Sequence, residues 1–167
     1  LTMQKRNFLL SALALAVSCQ VTSALAQKKY DPGASDTEIK IGQTMPYSGP
    51  ASAYGVIGKV QAGYFKMINE QGGINGRKIN FISLDDGYSP PKTVEMVRRL
   101  VEQDEVLLLM NTLGTPSNTA IHRYVNSKKV PHLFLATGAS KWNDPKLVAL
   151  NPGVKLPSKN ITPLHRE

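Results

Sequence analysis

The stretch that most constrains the fold runs from Val106 to Ser117, Val-Leu-Leu-Leu-Met-Asn-Thr-Leu-Gly-Thr-Pro-Ser. A continuous apolar run that ends in Gly and Thr-Pro-Ser reads as a strand buried on both faces and entering a helix. Thr115 is placed to cap that helix, with Pro116 at its first position, where a missing N–H costs nothing. The amides of such a first turn sit at the positive end of a helix dipole and suit a carboxylate.

The flanking segments repeat the alternation. Ile39 to Gly42 reads as a short strand, followed by a loop at residues 46–54 rich in turn formers. From Ala53 to Glu70 the apolar positions Ile57, Val60, Tyr64, Met67 and Ile68 recur at helical spacing, and Gly72-Gly73 ends the helix. Asn75-Gly76 makes a tight turn into a strand over residues 79–85, which ends in Asp85-Asp86-Gly87. Ser89 with Pro90 behind it opens a helix carrying Val94, Val97, Leu100 and Val101. After the strand at Val106, a helix with Ala120, Ile121, Tyr124 and Val125 leads to a fourth strand over residues 130–136, left through Thr137-Gly138-Ala139-Ser140. Strand and helix alternate with connections long enough for parallel pairing, which defines an α/β, doubly wound parallel sheet. Ligands of such sheets bind beyond the carboxyl ends of the strands where the winding reverses. The loops at residues 46–54, 113–117 and 137–141 are then expected to meet along one rim.

The chain has 167 residues, 41% of them apolar, enough for one packed α/β domain. Its formal charge of +8 arises from 20 basic and 12 acidic residues that are scattered, apart from pairs such as Arg98-Arg99, so no nucleic-acid partner is expected. Cys19 is the one cysteine, which excludes an internal disulfide, and His122, His132 and His165 lack ligand spacing, so no metal is expected. Residues 1–26 follow the pattern of a signal peptide: Lys5-Arg6, an apolar run from Phe8 to Val17, and Ala24-Leu25-Ala26 before a cleavage point. Export to the periplasm follows. A lipoprotein box at Cys19 is the weaker alternative, with Ala16 where Leu is usual. Residues 27–38 are polar and read as a linker.

Enzyme chemistry lacks its motifs. No Gly-x-Gly-x-x-Gly follows a strand, no phosphate-binding Gly-Lys loop is present, and Ser48 lacks the nucleophile elbow. No catalytic residue or cofactor is expected. Asp85-Asp86 fits a capped turn better than a ribose or metal site. What the rim offers is neutral donors (Ser48, Thr115, Ser117, Ser140 and backbone amides) and flat walls from Tyr47, Tyr54 and Trp142.

Three stretches, Ile39-Lys40-Ile41-Gly42 with Pro46-Tyr47-Ser48-Gly49-Pro50, then Gly72-Gly73-Ile74-Asn75-Gly76-Arg77-Lys78-Ile79, then Asp85-Asp86, resemble the leucine/isoleucine/valine-binding family. These are periplasmic solute-binding proteins of ABC transporters with the type I fold, and the resemblance extends over residues 39–145. It implies two α/β lobes closing on an amino acid or related small carboxylate, with or without an amine, or on an aromatic acid or amide, for delivery to an ABC permease in the inner membrane. It places ligand contacts at Gly114 and Thr115 and at Gly138, Ala139 and Ser140; Ser48 and Tyr54, read from the residues of the rim, complete the expected ligand-binding set. A monomer is expected. Residues 39–146 correspond to an incomplete N-terminal lobe, and residues 147–167, with Pro152, Pro157 and Pro163, read as an aberrant or disordered tail from a shifted frame or truncation. Weak or absent ligand binding by the chain alone follows. The rival readings are a nucleotide-binding or flavodoxin-like enzyme domain and the ligand-sensing domain of a receptor.

Overall fold

A computed structural model describes residues 30–143. The leader with Cys19, the first residues of the expected linker, and the tail with its prolines lie outside them. The elements are β1 (Glu38–Met45), α1 (Gly55–Glu70), β2 (Lys78–Asp85), α2 (Pro90–Glu102), β3 (Leu108–Met110), α3 (Thr115–Ser127) and β4 (His132–Leu133). Short 3-10 turns stand at Ser52–Tyr54 and Ser140–Asn143. The sheet is parallel throughout, in the order β2-β1-β3-β4. The chain moves outward from β1 to β2 and back past β1 to β3, so the winding reverses between β1 and β3.

Right-handed crossovers in this order place α1 on one face and α2 and α3 together on the other. The apolar core lies on the two-helix face, where Val97, Leu100, Val106, Leu109, Ile121 and Val125 form one buried cluster. β1 is longer than its apolar start indicates. Gln43 and Thr44 are polar yet fully buried, because a central strand is covered on both sides. The α1 face holds a directed hydrogen-bond chain instead of an apolar seam. Ser83 Oγ donates to Gln43 Oε1 (2.8 Å), so the Tyr47 hydroxyl, 2.6 Å away, is the donor to Ser83. Gln43 Nε2 donates to Gln61 Oε1 (2.6 Å), Gln61 Nε2 to Asn111 Oδ1 (3.1 Å), and Asn111 Nδ2 to the Phe134 carbonyl (3.0 Å). Gly58 is required where this chain begins, since a Cβ there would lie 2.1 Å from the Tyr47 hydroxyl.

That polar seam corrects the expected stripe of α1. The sheet-facing side is Gly58, Gln61 and Phe65, with Phe65 against Phe81 at 5.1 Å between ring centroids. Val60, Tyr64 and Met67 are 65%, 55% and 43% exposed. Asn69 closes the outer edge of the layer, pairing both polar groups of its amide with the backbone of Ile79. The segment expected as a linker also differs. Lys40 N–H donates to the Gly33 carbonyl, Ala34 bridges Ile39, and Ser35 Oγ accepts from the Glu38 amide, so residues 33–38 fold back onto the start of β1.

Two departures shape the rim. The fourth strand stops at Leu133 because Phe134 is left-handed (φ 55°), and β3 stops at Met110 because Asn111 is left-handed (φ 53°). The kinks match: Asn111 N–H donates to the Leu133 carbonyl, and pairing resumes beyond them between Leu113 and Ala136. The second departure is the cap of α3, which is Gly114 (φ 106°, ψ 132°) and not Thr115. Only glycine takes that backbone readily, and the Thr115 hydroxyl is used elsewhere.

Candidate functional site

The carboxyl ends of β1, β2, β3 and β4 carry four loops that are stitched together in sequence. Asp85 joins the first two. Its Oδ1 accepts the amides of Tyr47 (2.9 Å), Ser48 (3.1 Å) and Gly87 (3.0 Å), and its Oδ2 accepts Ser48 Oγ (2.5 Å) and Lys92 Nζ (3.2 Å). Partial burial raises its pKa, but hydrogen bonds from the Ser48 hydroxyl, the Gly87 amide, Lys92 and the Ser48 amide outweigh it, leaving the carboxyl far below the usual range. The neighbouring Asp86 shifts the other way. It is fully buried, and desolvation raises its pKa against hydrogen bonds from the Tyr88 amide and Thr93 Oγ1. Thr44 Oγ1, also buried, is close enough to lower that pKa slightly but lies outside hydrogen-bond geometry. The pair is a loop clamp, as a capped turn requires, and among the described residues no group of acidic, His or Cys side chains is arranged to hold a metal.

Tyr88 joins the second loop to the third. It is held left-handed (φ 60°), and a Cβ on Gly114 would come within 2.6 Å of its ring. Thr115 joins the third to the fourth, its Oγ1 lying 2.6 Å from Thr137 Oγ1, which also accepts the Ala139 amide (3.2 Å). Beneath the rim, the first turn of α3 is anchored by two consecutive buried residues. Ser117 Oγ bonds Thr93 Oγ1 (2.9 Å), and Asn118 Oδ1 accepts from Thr112 Oγ1 (2.5 Å) while its amide donates to the Thr112 carbonyl (3.1 Å). The Thr112 proton is thereby committed, so the contact between Thr112 Oγ1 and His132 Nε2 (2.5 Å) makes Nε2 the protonated nitrogen. Burial of this imidazole pushes its pKa down to about 4.

Gly114, Thr115, Gly138, Ala139 and Ser140 are thus gathered on adjacent loops, with Ser48 and Tyr54 on the loop after β1. Gly138, Ser140, Ser48 and Tyr54 are exposed. Several expected donors are already engaged: Ser48 Oγ donates to Asp85, and the Gly114 amide donates to the Ala136 carbonyl (3.0 Å). In the first turn of α3 Pro116 has no amide and the Asn118 amide donates to the Gly114 carbonyl (3.0 Å), which leaves the amides of Thr115 and Ser117, positions with no partner inside a helix, together with the hydroxyl of Ser140. Two of the three expected walls are elsewhere. Tyr47 lies under α1, and Trp142 is buried edge-on against His122 of α3, at 5.7 Å between centroids. Tyr88 is the rim residue that the sequence did not single out, and Asp85, read there as part of a capped turn, is the residue that ties the first two loops. The signal was Asp-Asp-Gly-Tyr at the end of a strand, a place where a clamp is needed.

This sheet, with its loops gathered where the winding reverses, is a doubly wound α/β lobe. The chain belongs to the periplasmic binding protein family, whose profile matches residues 38–161. An amino acid binding protein of Pseudomonas aeruginosa is 28% identical over 157 residues, 90% of this chain and 34% of that protein. A possible leucine/isoleucine/valine-binding protein of Rhodopirellula baltica superposes with a TM-score of 0.62 at 27% identity, covering 68% of this chain and 31% of the other. A fatty acid ABC transporter substrate-binding protein of Thermomonospora curvata gives 0.55 at 30% identity, covering 66% and 28%. The chain therefore spans about a third of the length of these relatives. They are solute-binding proteins, and the type I expectation for the fold holds.

Proposed function

We propose that this chain forms the first wall of an extracytoplasmic solute cleft that captures a branched-chain amino acid or related small carboxylate for an ABC permease of the inner membrane. The observation that carries this reading is the joining of the loops after β3 and β4 at Thr115 and Thr137, which sets the first turn of α3 beside Gly138, Ala139 and Ser140. An acid group seated there meets backbone amides and neutral hydroxyls at the positive end of a helix, without a buried cation to desolvate. The relatives support the ligand class, since amino acids and fatty acids share a carboxylate. Tyr54, on the loop after β1, supplies an apolar surface for the rest of the ligand. Residues 1–26 fit the role as a signal for export, cleaved after Ala26.

The test is a titration of the isotope-labelled chain with L-leucine, L-isoleucine, benzoate and octanoate, followed by amide shifts. One wall binds weakly, in the millimolar range, and the expected shifts fall on Thr115, Ser117 and residues 138–140. Shifts confined to other surfaces, or none at saturating ligand, overturn the reading.

A further inference from the structure

We infer that Asp86 is a positioning residue for the carboxylate site on the first turn of α3, acting through Thr93 and Ser117, so that binding of an acid group and neutralisation of Asp86 promote one another. The inference rests on the solute reading above and adds the regulation of that same site. Asp86, Thr93 and Ser117 are all fully buried, so their contacts are fixed from within the lobe. Thr93, in the first turn of α2, links the other two. Its Oγ1 lies 2.9 Å from Asp86 Oδ2 and 2.9 Å from Ser117 Oγ, with the Ser89 carbonyl at 3.0 Å. Asp86 Oδ1 is taken by the Tyr88 amide. A carboxyl group beyond the end of β2 thereby reaches the opening turn of the helix that follows β3.

A hydroxyl carries one proton, and this sets the direction of the line. An ionised carboxylate is the strongest acceptor within reach of Thr93, so Thr93 donates to Asp86 and Ser117 Oγ donates to Thr93. Both hydroxyl dipoles then point their positive ends at Asp86, and a full negative charge lies two hydrogen bonds from the first turn of α3. Neutral Asp86 undoes this. Its own proton goes to Thr93, the Thr93 proton turns to the Ser89 carbonyl or to Ser117, and no hydrogen bond is lost. The charge that opposed an incoming carboxylate is gone, and such opposition is weakly screened inside a protein. Burial already favours the neutral form, lifting the pKa above the ordinary 3.8. The adjacent charge is Asp85, which raises it further and is itself paired with Lys92 of α2. β1 contributes the neutral hydroxyl of Thr44. On the side of α3 and β4 the titratable group is His132, joined to α3 through Thr112 and Asn118, with a pKa of about 4. Linkage is reciprocal, so a bound carboxylate raises the Asp86 pKa by the factor through which neutral Asp86 tightens binding.

Two measurements on the isotope-labelled full chain test this. Without ligand, the Asp86 carboxyl carbon and the Ser117 amide are followed from about pH 7.5 to about pH 4.5. The Ser117 amide is expected to titrate with the Asp86 midpoint, and Thr93→Val, which keeps the shape, is expected to reduce that response about twofold or more. With L-leucine, whose carboxylate remains ionised over this range, affinity is expected to rise about fivefold as pH falls through the Asp86 midpoint. Asp86→Asn is expected to bind about fivefold more tightly than the unaltered chain at about pH 7.5 and to lose the pH dependence, whereas a purely structural role would lower affinity at every pH. A Ser117 amide blind to Asp86, or a response undiminished in Thr93→Val, overturns the inference. So does binding whose pH dependence persists in Asp86→Asn, or binding with neither pH dependence nor a gain in that variant. No binding at any pH, with the Ser117 response intact, overturns the solute reading and the regulation built on it, and keeps the line from Asp86 through Thr93 to Ser117.

Discussion

Thr115 and Thr137 meet hydroxyl to hydroxyl at 2.6 Å, and this contact joins the loops that leave β3 and β4. Thr137 Oγ1 also accepts the Ala139 amide, so removing it frees two groups at once. Thr137→Val keeps the shape and removes the oxygen. The expected cost is about 1–2 kcal/mol in denaturant unfolding, since each net hydrogen bond contributes about 1 kcal/mol. Hydrogen exchange at Ala139 should accelerate while exchange in β1 is unchanged. Unaltered exchange at Ala139 would show that the two loops are held together by something else.

Gly114 has two independent reasons to be glycine. Its φ of 106° is unfavourable for any side chain, and the Tyr88 ring occupies the place of a Cβ. Gly114→Ala is expected to destabilise by about 2–4 kcal/mol, part from backbone strain and part from overpacking. The two parts separate in a double-mutant cycle. Tyr88→Ala relieves the steric share, so the double variant should be more stable than the sum of the single effects by about 1 kcal/mol or more. Strict additivity would mean that Tyr88 does not press on Gly114.

The parts of this fold that could be read from residues alone are those where local pattern and burial agree. The apolar run ending at Met110, the turn residues after each strand and the alternation of elements sufficed to identify a parallel sheet and to put Gly114, Thr115 and residues 138–140 on loops at the carboxyl ends of its strands. The misreadings occur where polar groups are buried. Gln43 and Thr44 concealed half of β1. The hydrogen-bond chain through Gln43, Gln61 and Asn111 takes the place of an apolar seam under α1, so the conspicuous residues Val60, Tyr64 and Met67 mark a helix by their spacing without marking its packed face. Neither the left-handed turns at Asn111 and Phe134 nor the capping role of Gly114 over Thr115 leaves a composition signal, because each is set by a partner on another strand.

Asn111 illustrates such a partner. All four of its polar groups are engaged: the amide with Leu133, the carbonyl with Gln43, Oδ1 with Gln61 and Nδ2 with Phe134. Asn is also among the few side chains that tolerate a left-handed backbone. Asn111→Ala should therefore cost about 2–4 kcal/mol, from the left-handed conformation and the stranded Gln61 amide together. Asn111→Gly removes the same side chain without the backbone penalty and should recover about 1 kcal/mol of the loss in thermal unfolding. Equal stabilities for the two variants would remove the backbone share of the argument.

His132 sets the acid limb of stability. Its pKa of about 4 in the folded protein lies below the ordinary value of 6.5, so between these values the unfolded chain binds more protons. Stability is fully present above pH 6.5 and falls as pH drops towards 4, by up to about 3 kcal/mol for a shift of this size. Asp86 acts with the opposite sign: its raised pKa favours the folded state at low pH and that contribution is lost as pH rises through the folded value. Asp85, with a depressed pKa, loses its contribution only as pH falls below 3.8. The His132 contribution falls between pH 6.5 and 4, where Asp86 opposes it from 3.8 upward, so His132 is isolated by the difference between the protein and a His132 variant over that window. In His132→Gln the slope of unfolding free energy against pH should flatten there, and an unchanged slope would assign the acid limb to another group.

Asp85 concentrates five hydrogen bonds on one carboxylate, and its two oxygens serve different partners. Asp85→Asn preserves shape and the Oδ1 acceptor for the amides of Tyr47, Ser48 and Gly87. It places an NH2 group where Oδ2 received Ser48 Oγ and Lys92, so Ser48 must turn its proton away and the Lys92 cation loses its counter-charge. Because the Asp85 side chain is about a third exposed, water replaces part of what is lost, and the expected destabilisation is about 1–2 kcal/mol. Asp85→Ala also removes the Oδ1 acceptor shared by the three amides and should cost about twice as much. The order matters more than the size: hydrogen exchange at Tyr47 and Gly87 should stay slow in the Asn variant and become fast in the Ala variant, while Leu109 remains protected in both. Fast exchange at Tyr47 in the Asn variant would show that charge, and not the acceptor geometry of Oδ1, holds the first two loops together.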